Sequence, residues 1–309
     1  MKWMTWCAAA VIGLSCCIGK PARGANGLDE FISPVTSFTN FEDPRPTTEA
    51  RPIFMVHSLS DELKLGDVRV GNGGEAYLIA LQLRYAVTDR LALIATKDGY
   101  VWLRPDEEIP GALTHDDGFA NLAFGLKYAF ILEPEKRRIA TIGFRYEAPS
   151  GDAGVLQGKV YRIDGVDERG KGVVNPFLST GIGVDRFHFL GYAGVRAALD
   201  DVDSSFFDLS LHGDYQIGNF YPLVEINWVQ TIDGGRRLPL NGEGFDVLNL
   251  GSVDGEDRGV VTAGVGARYR LASFDPVDLD FGAAVEFPLT DREDIFNLRV
   301  TTDVVIRLR

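Results

Sequence analysis

Ser210, His212 and Asp214 occupy alternate positions of one short stretch. A nucleophile, a base and an orienting acid are the residue types of a hydrolase site. If the stretch is a strand, all three share a face, but successive members stand about 6.6–6.8 Å apart along it, too far for a direct Ser–His–Asp relay. Polar lining of an interior is the better reading, so no catalytic residue is assigned and the chain is not expected to be an enzyme. His57, His115 and His188 stand alone in the sequence, without zinc or hydrolase spacing. Gly71-Asn72-Gly73-Gly74 precedes a strand pattern rather than a helix and reads as a flexible loop, not a phosphate cradle. Neither a metal nor a cofactor is expected.

The larger set of chemical groups lies on the inward parity of alternating segments. It comprises Arg84, Lys127, Arg145, Arg196, Arg268, Arg270, Arg299 and Arg307, against Glu147, Asp208, Asp214, Glu225, Asp278, Asp280, Glu286 and Asp303. Together with His212 these are the candidate lumen-lining residues. Eight cations facing eight anions allow two readings. They pair across strands and fill a narrow interior, because charges away from water are tolerated only when paired. Alternatively, unpaired members line a water-filled path and select among small solutes.

The elements that must position them show a period of two. Phe207, Leu209, Leu211, Tyr215 and Ile217 alternate with Asp208, Ser210, His212, Asp214 and Gln216. Val261, Ala263, Val265, Ala267, Tyr269 and Leu271 alternate with Thr262, Gly264, Gly266, Arg268 and Arg270. This is the pattern of strands between two solvents. Twelve such segments are expected, near 52–58, 75–88, 91–103, 118–131, 138–148, 173–184, 186–199, 205–217, 219–231, 259–272, 277–288 and 295–308. The first is the weakest, since Leu63 to Val70 competes with it for the edge. Residues 91–103 alternate imperfectly, because Lys97 falls on the wrong parity. Tight turns at Thr88-Asp89-Arg90, Asp185-Arg186, Gly218-Asn219 and Ser273 to Pro276 alternate with long polar loops at 104–117, 149–172 and 232–258. Transmembrane barrels show this asymmetry, and closure leaves no unpaired edge in lipid. Tyr85, Tyr128, Tyr215 and Tyr269 each precede a short turn on the outward parity and form a candidate interface girdle. The expected fold is therefore an all-β, transmembrane, antiparallel up-and-down β-barrel of about twelve strands, within a range of ten to fourteen.

The N-terminus carries Met1-Lys2, an apolar run from Trp6 to Leu14 and small residues Ala22, Gly24 and Ala25, the order of an export signal over residues 1–24. Cys7, Cys16 and Cys17, the chain's 3 cysteines, all lie within it, which excludes disulfide and thiol chemistry from the processed chain. Leu14-Ser15-Cys16-Cys17 loosely resembles a lipoprotein processing site, although a small residue normally stands where Cys16 does. Residues 25–50, Pro-rich and aperiodic, read as an extended periplasmic leader, and residues 51–309 as the barrel. Of 31 basic and 44 acidic residues, removal of the signal takes Lys2, Lys20 and Arg23, leaving 28 − 44 = −16. Such a charge repels phosphate, so nucleic acid is not a partner. Acidic loop clusters, Asp164, Asp167 and Glu168, Asp200, Asp201 and Asp203, and Glu243, Asp246, Asp254, Glu256 and Asp257, read as solvated negative loops because none has calcium-loop spacing.

Three phrases carry a resemblance: Thr47 with Glu49-Ala50-Arg51-Pro52-Ile53-Phe54, Thr88-Asp89-Arg90-Leu91 through Lys97-Asp98-Gly99-Tyr100, and Glu286-Phe287-Pro288-Leu289-Thr290-Asp291-Arg292-Glu293-Asp294. They resemble bacterial outer-membrane barrels of unassigned function. More distantly, residues 47–308 are similar to the outer-membrane transporters grouped with phenol meta-pathway degradation. The resemblance implies outer-membrane location and uptake of small, apolar solutes, with no catalytic residues to carry over. The final strand departs from the common pattern by ending Leu308-Arg309 rather than in an aromatic residue. The expected function is passive or weakly selective passage of small solutes through the bacterial cell outer membrane, with both termini periplasmic. The alternative is a non-conducting structural or surface-interaction barrel with a salt-bridged lumen. Lipid, lipopolysaccharide, the barrel-insertion machinery and a small solute are the expected partners.

Overall fold

The computed structural model describes residues 27–308 except 66–67, 72, 97–98, 109–113, 152–169, 238–241, 248, 254–258, 275 and 291–295. The export-signal reading, its cysteines, Lys97 and the acidic residues Asp164, Asp167, Glu168, Asp254, Glu256 and Asp257 lie outside the described residues.

Sixteen strands follow in order: β1 Thr48–Ser58, β2 Glu62–Leu65, β3 Val68–Gly71, β4 Gly74–Ala86, β5 Leu91–Ala95, β6 Gly99–Pro105, β7 Asp116–Phe119, β8 Leu122–Glu133, β9 Arg138–Ala148, β10 Val173–Val184, β11 Phe187–Ala198, β12 Ser205–Tyr215, β13 Phe220–Asp233, β14 Gly259–Phe274, β15 Val277–Pro288 and β16 Leu298–Leu308. β1 pairs antiparallel with β16 on one side and β4 on the other, so the sheet closes on itself. β5 and β6, both paired with β4, form one stave, and β7 with β8 form the next. Twelve staves result. The segment that competed for the edge folds into the separate β2–β3 hairpin.

Alternation places apolar residues outward because one face of each strand meets lipid and the other a polar interior. Outward Leu126, Ile142, Leu211, Val224 and Val265 are all exposed, whereas inward Lys127, Thr141, His212, Glu225 and Thr262 are buried. Tyr128 and Tyr269 are exposed, and Tyr85 and Tyr215 half-exposed, on that outer face close to the short turns.

The principal departure from the sequence reading concerns residues 28–47. Expected as an extended leader outside the barrel, they lie inside it, with Phe31, Ile32, Val35, Phe38 and Phe41 buried. The physical reason is space, since a barrel of twelve staves encloses more volume than its own inward side chains fill. Phe31 and Phe41 pack against Ile94, Ile139, Phe177 and Tyr192, Phe38 against Met55, Leu78 and Val101, and Ile32 and Val35 against Tyr221 and Leu223. Ser37 turns the segment at φ 47°, its carbonyl accepting from the Asn40 and Phe41 amides, so that Phe38 and Phe41 reach different walls.

Val265 sits midway along β14, flanked by outward Val224 and Val285. Val265→Arg is expected to lower stability in a phospholipid bilayer by about 2–4 kcal/mol, as for a charge facing the lipid midplane. Urea titration of bilayer-folded protein measures this, and an unchanged midpoint would place that face outside lipid.

Candidate functional site

The site is the occupied lumen. The N-terminal segment makes no ladder with the wall, so its backbone polar groups must find side chains. Glu225 accepts from the amides of Val35 and Thr36 at 2.9 and 2.6 Å. Arg145 donates to the carbonyls of Thr39 and Asn40 at 3.0 and 2.7 Å. Lys127 donates to Asp43 O, Thr141 to Pro44 O, Arg51 to Pro34 O and Arg268 to Ser33 O, at 2.6, 2.6, 2.7 and 3.1 Å. Gln82 bridges the carbonyls of Phe38 and Thr96 at 2.7 and 2.9 Å. Inward Gly264 leaves room for this fit, because a side chain there would approach Thr36 to 2.5 Å.

The strongest tie is ionic. Arg84 Nε and Nη2 donate to the two oxygens of Glu42 at 2.7 and 2.8 Å, and Lys127 Nζ donates to Glu42 Oε1 at 2.7 Å. Neighbouring Asp43 pairs with Arg45 at 2.6 Å within the segment itself. Burial alone would push the Glu42 carboxyl up, but Arg84 and Lys127 outweigh it and hold it down at about 2.

The remaining lumen residues pair mostly within the wall, Asp246 of the loop after β13 being the exception. Arg268 and Arg51 both bind Asp303, with Arg268 Nη1 at 2.6 Å. Arg196 forks onto Asp208 at 2.8 Å, Arg270 pairs with Asp280 at 3.1 Å, and Arg307 reaches Glu49 at 3.2 Å. Arg299 binds Glu286 at 3.3 Å and Asp246 at 2.6 Å. Asp278 is buried, and Glu147 is half-buried and accepts from Asn121 at 3.1 Å.

Histidine chemistry differs from the expectation in two ways. His212 and Asp214 do touch, at 3.0 Å, because side chains on one face lean toward each other beyond what Cα spacing suggests. His188, isolated in the sequence, meets Asp214 at 2.6 Å. Even so, both His212 nitrogens are taken by carboxylates, Glu225 at 2.6 Å and Asp214, so neither serves Ser210 as a base. His57 accepts from Arg299 at 3.3 Å, and His115 contacts Pro105 O at 3.0 Å.

Described residues of the loop after β13 also reach into the lumen. Glu243 and Asp246, expected as solvated acids, are buried. Glu243 accepts from the Leu250 and Ser252 amides at 2.8 Å each, holding the loop turned inward. Asp246 then meets both Arg299 and Thr39, the latter at 3.0 Å, so loop and N-terminal segment touch. Asp200, Asp201 and Asp203 stay at the rim, the last two with Arg236 and Arg237. Between segment and wall remains a cavity of about 40 Å³, lined by Phe38, Leu78, Val101 and Val247, with Thr39, Thr96, Asn121 and Glu147 on its polar side.

Sequence reasoning missed Glu42, Thr36, Thr39, Arg51 and Asp246. The five large apolar residues between Phe31 and Phe41 were the available signal, since a solvated leader has no use for them.

A depressed carboxyl stabilises the folded state above its unfolded value and loses that contribution as pH falls toward its folded one. For Glu42 the window runs from 4.5 down to about 2. Protease cleavage within residues 28–47 of the folded barrel is expected to rise as pH falls through that window, using an acid-active protease. Glu42→Gln is expected to show the raised cleavage already at neutral pH, because leaving one partner of a buried pair uncompensated costs about 3–5 kcal/mol.

No family model and no curated protein matches this sequence. Among solved structures the chain is similar to an outer-membrane channel from Pseudomonas putida F1, at 14% identity and a TM-score of 0.57, over 86% of this chain and 98% of that one. The NanC porin (6% identity, TM-score 0.44, 85% and 99% covered) and LpxR from Salmonella typhimurium (11%, 0.40, 83% and 99%) match more remotely. At these identities the likeness is one of fold: this chain has a closed antiparallel β-barrel, the fold of the Pseudomonas putida F1 channel.

Proposed function

We propose that this chain is an outer-membrane channel, shut in the state described, that passes small solutes passively when its N-terminal segment shifts. The observation that carries the reading is how the lumen is closed. Residues 28–47 and the loop around Asp246 belong to no stave of the wall, and the β1–β16 ladder is complete without them. A closure of this kind can move while the barrel stays whole. The cavity beside Phe38 and Val247 marks the apolar side of the passage, and at about 10–15 Å³ per water it holds only a few waters in the shut state. The resemblance to the phenol meta-pathway barrels agrees with a small solute.

In this reading the described ends of β1 and β16, both at the short-turn end, face the periplasm, and the acidic rim loops face the lipopolysaccharide. Lumen-lining Arg145, Glu225 and Arg268 act as holders of the segment rather than as a bare filter. A non-conducting structural barrel is the competing reading, and the extensive pairing of lumen charges favours it. Conductance decides between them.

Arg145→Met removes the charged donors to the Thr39 and Asn40 carbonyls. Charge-assisted bonds of this kind contribute about 1.5–3 kcal/mol, so openings in a planar bilayer are expected to become roughly ten- to a hundredfold more frequent than in the wild type. Wild type and Arg145→Met that are both folded and electrically silent would contradict the channel reading.

A further inference from the structure

Lys127 is fully buried, and both of its described hydrogen bonds go to the N-terminal segment, to Glu42 Oε1 and Asp43 O. Arg84 lies beside it and closes its guanidinium fork on both Glu42 oxygens. A planar fork plus a point charge around one carboxylate is a preferred arrangement for recognising that group. The wall contributes a single acid of its own to these cations among the described contacts, Glu49, which takes Arg84 Nη1 at 3.1 Å and leaves Lys127 untouched. Glu49 is shared with Arg307 at 3.2 Å, so with the segment withdrawn Arg84, Lys127 and Arg307 face this one acid and the confined lumen keeps a surplus of positive charge there. Two inward positions before Arg84 on β4, past Gln82, Ala80 lines the cavity beside Phe38 together with apolar Leu78 and Val101.

We propose that Arg84 and Lys127 form a binding site for the carboxylate of a small organic anion, which Glu42 fills as a tethered stand-in while the lumen is shut. This rests on the channel reading, since a solute reaches the site only when the segment leaves it. The surplus of positive charge selects an anion and the Arg84 fork a carboxylate, and the apolar side chains beyond Gln82 accommodate a short hydrocarbon tail.

Glu42→Ala tests the site directly, because it excises from the side chain a group the size of acetate. The probe is sodium acetate, added to the full signal-free chain refolded in detergent, and the readout is thermal unfolding followed by circular dichroism. The variant is expected to melt below wild type, and acetate is expected to restore most of the loss with a saturable dependence on concentration. Acetamide and sodium chloride should not restore it, nor should acetate act on Glu42→Ala/Lys127→Met or on wild type. A folded Glu42→Ala that ignores acetate, or that chloride or acetamide restores equally, overturns the site. If Glu42→Ala does not fold, Glu42→Ser, which keeps a small polar group and still leaves room for acetate, takes its place. Failure of both variants to fold even with acetate present also counts against the proposal, since a bound ion would replace the missing group. Bilayer conductance of the same variant separates the two claims. Rescue by acetate in an electrically silent barrel keeps the site and removes the channel, whereas conduction without rescue does the reverse.

Discussion

The carboxylate of Glu42 lies between Arg84 and Lys127, and the occupied lumen turns on that contact. An ammonium group held away from water is costly unless paired and hydrogen-bonded. Lys127 obtains both partners from residues 42 and 43, ahead of the first stave, so β8 carries a charge that the wall by itself leaves uncompensated. Wall and N-terminal segment are in this sense one design. The same holds at Glu225, whose acceptor oxygens meet the Val35 and Thr36 amides, and at Gly264, whose missing side chain is the space Thr36 occupies.

A second set of contacts comes from the loop after β13 and follows the same physics. Glu243 gathers loop amides and turns the chain inward, which delivers Asp246 to Arg299. Thr39 then bonds Asp246, so the tethered segment and the loop meet in mid-lumen with Phe38 and Val247 on the edge of the residual cavity. The wall supplies the holding groups, and the segment and loop supply the groups held. The ion pairs at Glu42 and Asp246 cross between the wall and the parts lying inside it, whereas most of the others join one strand of the wall to another.

Much of the wall was legible in the sequence because lipid and lumen impose opposite demands on neighbouring residues. The segments 138–148, 173–184 and 277–288 coincide with β9, β10 and β15. The N-terminal segment was not legible as an interior element, since its backbone groups are met by Arg145, Glu225, Lys127 and Thr141 from remote strands, and such contacts leave no period behind. Asp246 was hidden for a similar reason: a carboxylate in a polar loop looks the same whether it faces water or a distant arginine. The His212–Asp214 contact was underestimated because strand rise measures backbone separation, whereas long side chains on one face converge.

The occupied lumen is the claim on which these points depend, and cysteine accessibility tests it most directly. The chain has no cysteine after Cys17, so Val35→Cys in the signal-free protein introduces a single thiol at a fully buried position. A membrane-impermeant maleimide is expected to label it slowly in the folded barrel and rapidly in urea, while a control cysteine in a rim loop reacts rapidly in both. Equally rapid labelling of position 35 in the folded barrel would mean that the segment lies outside, and would contradict the account.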